Sequence, residues 1–126
     1  MMKRKLFLTL TLASIATACH AEQPPTRLTN GQATIAVRSM LGMDQIRVVL
    51  GTCKPALNAK PEGATACTFL AVSSGGTSES QADFHWSGKE WAAAPSDSQK
   101  ILPFPDPALM DVHSWSNIDD NAGPIH

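Results

Sequence analysis

The sequence predicts a small all-β domain: an antiparallel sheet, sandwich or open barrel of four to five short strands. Three observations carry this expectation: short runs in which apolar and polar residues alternate, turn-forming residues between those runs, and two cysteines flanking one long connection. In residues 32–39, Ile35 and Val37 share one face and Thr34 and Arg38 the other, the period of a strand. Residues 40–44 are short enough for a hairpin loop. In residues 45–52, Ile46, Val48 and Leu50 then share a face against Gln45 and Arg47. Residues 54–66 contain Pro55, Pro61 and Gly63 and have no period, which predicts a loop. Residues 67–72 are apolar on both faces, as a central strand requires. A Ser/Gly-rich turn follows over 73–78. In residues 81–86, Ala82, Phe84 and Trp86 face the interior and Gln81, Asp83 and His85 the solvent; a turn at 87–89 returns the chain into residues 90–92. Beyond Ala94 the pattern dissolves. Pro103 and Pro105 impose extended backbone, and Asp106-Pro107 reads as a helix cap followed by proline at the first helical position. A short helix to about Val112 would place Leu109 and Val112 on the sheet, and residues 116–126 are expected to form a mobile acidic tail.

The chain divides into a signal segment (1–21), a tether containing Pro24-Pro25 (22–30), a β-rich domain (31–115) and the tail. Lys3, Arg4 and Lys5 precede an uncharged, mostly apolar run over residues 6–16. This is the layout of an export signal, and the run is shorter than the roughly 20 apolar residues of a membrane span. Ala16-Thr17-Ala18-Cys19 resembles the lipobox of bacterial lipoproteins, with Ala16 standing where leucine is usual. The resemblance implies lipidation of Cys19 and cleavage before it. His20 after the cysteine then points to the outer membrane, with the domain facing the periplasm. Cleavage after Ala21 is the other reading, giving a soluble periplasmic or secreted protein. Either way Cys53 and Cys67 remain as a pair, and in an oxidising compartment a pair predicts a disulfide. It would pin the two ends of the 54–66 loop and contribute about 3 kcal/mol by restricting the unfolded chain.

Three of the ten basic residues sit in the signal, leaving seven against eleven acidic ones, a net charge of −4. The excess lies in Asp97, Asp106, Asp111, Asp119 and Asp120, offset by Lys100. A neutral body with an acidic end lacks the basic footprint that nucleic acid requires.

Candidate sites are few. Asp83 and His85, two apart on one strand face, have metal-ligand spacing, and His113, His126 or the acidic tail would have to complete a set; exposed polar residues on the wet face of a sheet are the commoner explanation. Trp86, Trp91 and Trp115 are the tryptophans; Trp91 could stack on a glycan, whereas Trp86 belongs to the inward face. The stretch 117–123 glances at a calcium loop, but its glycine is one position late and the chain ends before a twelfth-position glutamate. No nucleophile elbow or zinc-protease motif occurs, Ser73, Ser74 and Ser114 read as turn or loop residues, and Glu79 and Glu90 are not a recognisable acid/base pair. No catalytic residue and no cofactor is expected. Cys53-Lys54-Pro55 resembles the start of the Cys-Lys-Pro-His-Asp-Cys loop of periplasmic inhibitors of vertebrate lysozyme. Here it continues Ala56-Leu57, without the His and Asp that carry inhibition. What the resemblance implies is a disulfide-pinned loop that contacts protein, not that activity.

These readings lead to the expectation of a non-enzymatic protein-binding domain of the bacterial envelope. It would act as an inhibitor or immunity-type lipoprotein presenting Lys54 and Leu57 to another envelope protein. A periplasmic metal-binding protein using Asp83, His85 and His113, and a glycan-binding or structural accessory using Trp91, are the alternatives.

Overall fold

The computed structural model describes residues 27–58, 63–112 and 118–125. The signal segment, Cys19, most of the tether, His113, Ser114, Trp115, Asn117 and His126 lie outside them. Four antiparallel strands form an open sheet in simple meander order: β1 (Arg47–Pro55), β2 (Thr65–Ser73), β3 (Gly76–Trp86) and β4 (Trp91–Pro95). The sheet is not closed into a barrel. It follows a helix, α1 (Asn30–Leu41), which lies between the two edge strands, so that the sheet wraps around it.

This helix replaces the strand expected over residues 32–39, and its start takes in the end of the expected tether, where Leu28 is buried. Thr29 and Gln32 make a reciprocal capping box: the Gln32 N–H donates to Thr29 Oγ1 and the Thr29 N–H to Gln32 Oε1. Gly42 ends the helix at φ 67°, a left-handed conformation that glycine adopts without steric cost, so residues 40–44 complete a helix and turn rather than a hairpin loop. The buried positions Asn30, Ala33, Thr34 and Val37 follow helical spacing. Ile35, expected to share the inner face with Val37, is instead 67% exposed.

Asn30 and Thr34 are buried for a reason. On an edge strand every second N–H lacks a strand partner. Along β1, Thr34 Oγ1 accepts from Val48 N–H at 2.9 Å and Asn30 Oδ1 from Leu50 N–H at 2.9 Å. The helix therefore satisfies and blocks this edge with two side chains one turn apart.

The sheet buries both faces. Val48, Leu50, Cys67, Phe69, Ala82 and Phe84 meet Ala33, Ala36 and Val37 of the helix. On the other face Val49, Leu70 and Val72 meet Leu109, with Val112 and Ile118 beside them. Leu109 is delivered by a 3-10 turn, Pro107–Leu109, capped by Asp106 as the sequence suggests. The C-terminal stretch is tied down where a mobile tail was expected. Asn30 and Gly31 N–H groups donate to the Ala122 and Asp120 carbonyls, Ile125 N–H to the Leu50 carbonyl, and Arg47 pairs with Asp120. The first turn of α1 and the edge of β1 leave backbone groups that this segment satisfies.

Candidate functional site

A β-bulge organises the end of the sheet that carries the disulfide. Leu50 pairs with Phe69 and Cys53 with Cys67, so Gly51 and Thr52 together oppose Thr68. One extra residue reverses the facing of everything after it. Val48 and Leu50 point to the helix side, and the bulge brings Cys53 to that side as well, opposite Cys67. The two are disulfide-bonded, with Cα atoms 4.1 Å apart. The bond thus links directly paired strand residues; β1 and β2 continue two residues past it to Pro55 and Thr65, shortening the expected 54–66 loop.

The bulge is filled by a carboxylate. Asp106 is 2% exposed. Its Oδ2 accepts from the Thr68 hydroxyl at 2.5 Å and Thr52 N–H at 3.0 Å, and Oδ1 from Ala108 N–H at 2.9 Å. Its own N–H donates to Glu79 Oε2 at 2.8 Å. Burial alone pushes the Asp106 carboxyl up, but the donors from Thr68, Ala108 and Thr52 outweigh it and hold the group below its ordinary 3.8. Gly51 makes room for this latch. A Cβ there would lie 2.5 Å from Thr68 Oγ1, 2.7 Å from Asp106 Oδ2 and 2.9 Å from Leu109 Cγ. Gly51→Ala is therefore expected to cost about 2 kcal/mol, seen as a lower urea midpoint at unchanged m-value.

Beyond the disulfide, the hairpin tip is held on both sides. Ala56 N–H donates to the Ala64 carbonyl at 3.0 Å, and Leu57 N–H to Ser98 Oγ at 2.8 Å. Ser98 is fully buried; its N–H donates to Ser96 Oγ, which donates to Asp83 Oδ1 at 2.8 Å. A relay from β3 thus fixes the backbone of Leu57, while the Leu57 side chain is 43% exposed and Lys54 and Pro55 stand in solvent beside it. The arrangement leaves an apolar side chain and a cation exposed beside backbone that the disulfide and two hydrogen bonds tie down.

The other candidates fare differently. Asp83 spends its carboxylate on Ser96 and on the Asp97 N–H, and among the described residues no group of three or more His, Cys, Asp or Glu is gathered as metal ligands. Trp91 is half-buried against the core and meets Trp86 edge-on, ring centroids 5.8 Å apart, with its indole nitrogen sealed from solvent. Glu79 supports Asp106, while Glu90 sits in the β3–β4 turn, so the two carboxylates do not converge. Ser73 Oγ serves its own turn, accepting from Gly75 N–H and donating to the Gly76 carbonyl. A separate groove of about 440 Å³ lies between the end of α1 and the β2–β3 hairpin, lined by Met40, Met43, Phe69 and Ala71 with Ser78 and Ser80. No helix among the described residues is long and apolar enough to cross a membrane.

Lys54 and Leu57, singled out in the sequence, are exposed beside the disulfide, and the Asp106 latch is not anticipated there. The available signal is Gly51, since a glycine inside a strand marks a bulge or a close approach. Compared with known proteins, the chain matches no family model, no curated protein and no solved structure.

Proposed function

We propose that the chain is a non-enzymatic binding domain of the bacterial envelope that presents the β1–β2 tip, with Leu57 and Lys54 as its contacts, to another protein. The observation that carries this reading is an exposed leucine on a tip held by a disulfide, a cross-tip hydrogen bond and the Ser98 hydroxyl. An apolar anchor on pre-ordered backbone loses little conformational entropy on binding, which is how small inhibitors reach high affinity. An inhibitor or immunity role suits such a tip. The basic, apolar start and the lipobox-like Ala16-Thr17-Ala18-Cys19 support export and an outer-membrane lipid anchor at Cys19, or release into the periplasm after Ala21.

Affinity capture from envelope extract tests the proposal when wild type is compared with Leu57→Ala and Lys54→Ala. The expected result is a partner retained by wild type and bound at least about tenfold more weakly by Leu57→Ala. Thermal stability should stay within about 0.5 kcal/mol, because the removed atoms are exposed. A partner held equally by all three proteins would overturn the reading. Intact mass of the captured chain reports the acyl group and the disulfide together.

A further inference from the structure

The first half of β3 has an edge that no other strand covers. β4 ends at Pro95, opposite Ala82, whereas β3 begins at Gly76. Residues 76–81 therefore pair with β2 alone. Pro95 has no N–H to exchange with Ala82, so Ala82 turns its backbone groups toward β2. Alternation turns those of Ser80 and Ser78 the same way, and those of Thr77 and Glu79 outward. Among the described residues, no hydrogen bond from outside the sheet reaches the N–H or C=O of Thr77 or Glu79, and no helix packs along this stretch. Ser78 and Ser80 share the helix-side face with Ala82 and Phe84, but past the end of β4 both are exposed. They form one wall of the 440 Å³ groove, whose other walls include Met40, Met43, Phe69 and Ala71 and which no charged residue lines.

We infer that an extended segment of a partner protein adds to this edge as a fifth strand, in line with β4 and antiparallel to residues 77–80, with apolar side chains at two alternate positions. Two observations choose that occupant. The outward N–H and C=O groups of Thr77 and Glu79 repeat about every 7 Å, the spacing at which an extended backbone offers its own. Cross-strand neighbours share a face, so the partner residues opposite Ser78 and Ser80 point into the groove. There the Met40 and Met43 thioethers and Phe69 offer adaptable apolar surface, and a charged side chain would lose water without finding a counter-charge. A second copy fits poorly. Its own β3 would bring Gly76-Thr77-Ser78-Glu79-Ser80 to this edge, leaving the apolar walls without an apolar partner in any register. The site stands apart from the proposed tip function, since it lies at the far end of β2 and uses none of the tip residues.

Titration of the full chain with the peptide acetyl-Lys-Thr-Ile-Thr-Ile-Thr-Lys-amide up to about 1 mM tests it, a range suited to a small contact. The expected result is saturable binding that slows hydrogen exchange at the Thr77 and Glu79 amides and leaves Ser78 and Ser80, already held by β2, unchanged. Replacing both isoleucines by serine, or N-methylating the threonines, should each weaken binding at least about tenfold. Thr77→Pro removes an N–H that β2 does not use, and Met43→Asp sets a charge at an exposed position on the groove. Each should weaken binding about tenfold with the circular dichroism unchanged, and Leu57→Ala at the tip should leave it as it was. Absence of binding at about 1 mM overturns the inference. So does binding that leaves the Thr77 and Glu79 amides unprotected, binding indifferent to the serine peptide or to Met43→Asp, or a wild-type dimer that Thr77→Pro dissolves, which would make a second copy the occupant.

Discussion

Asp106→Ala is expected to lower the stability of the domain by about 3–4 kcal/mol, a large share of the 5–15 kcal/mol of an ordinary domain. The substitution leaves the Thr68 hydroxyl and the Ala108 N–H without their acceptor inside the protein. A buried unsatisfied donor costs about 1–3 kcal/mol and a lost cap about 1 kcal/mol. Thr52 N–H is spared, because Thr68 Oγ1 also accepts from it at 2.9 Å. Tm should fall by about 20 °C. The same carboxylate gives the fold an acid limit of known sign. Its folded pKa lies below the ordinary 3.8, so its stabilisation is complete above that value and is lost as pH falls through the folded pKa. Asp106→Asn, which has no proton to take up, should flatten the stability–pH slope below about pH 4. Urea midpoints at pH 7, 4 and 3 check both statements; an unchanged slope in the variant would assign the acid sensitivity to other carboxylates.

Breaking the disulfide has the next largest effect. Cys53 and Cys67 are 14 residues apart, and a loop of that size contributes about 3 kcal/mol by restricting the unfolded chain. Cys53→Ala/Cys67→Ala should therefore lose about 3 kcal/mol, and reduction of the wild type should lose a similar amount. The sheet should survive, because β1 and β2 pair on both sides of the bond. The tip should not survive unchanged. Hydrogen exchange at Ala56 should rise more than at Leu70, since the bond braces the hairpin end and not its middle. Equal acceleration at both amides would show that the disulfide supports the whole sheet. Combined with Leu57→Ala, the cysteine variant also separates the tip's two parts: the leucine supplies contact, the staple supplies rigidity.

The strands after residue 45 are legible because each is read by its neighbours in simple order. In a meander with one face on a helix, alternation survives into the sequence, as Ala82 and Phe84 show on β3. The cysteine pair is equally plain, two thiols at the ends of adjacent strands. The helix is hidden for a physical reason. Its buried stripe includes Asn30 and Thr34, polar residues whose partners are N–H groups of a strand 14 and 20 residues away. A hydrophobic period cannot register them, although Thr29, Gln32 and Gly42 mark its ends.

The candidate tip divides in the same way. Lys54 and Leu57 follow from their place beside a cysteine. Ser98, Ser96 and Asp83, which fix the Leu57 backbone, come from elements that alternation and spacing cannot bring together. From the amino-acid order alone came the strands, the staple and the Asp106 cap, all of them set by neighbours along the chain. Tertiary structure alone decided that residues 30–41 coil, that the C-terminal residues 118–125 are docked, and that Asp106 fills the Gly51–Thr52 bulge, turning Cys53 toward Cys67. Each of those outcomes depends on a buried hydrogen-bonding group finding its partner far away in sequence, and such partners exist only once the sheet has closed around the helix.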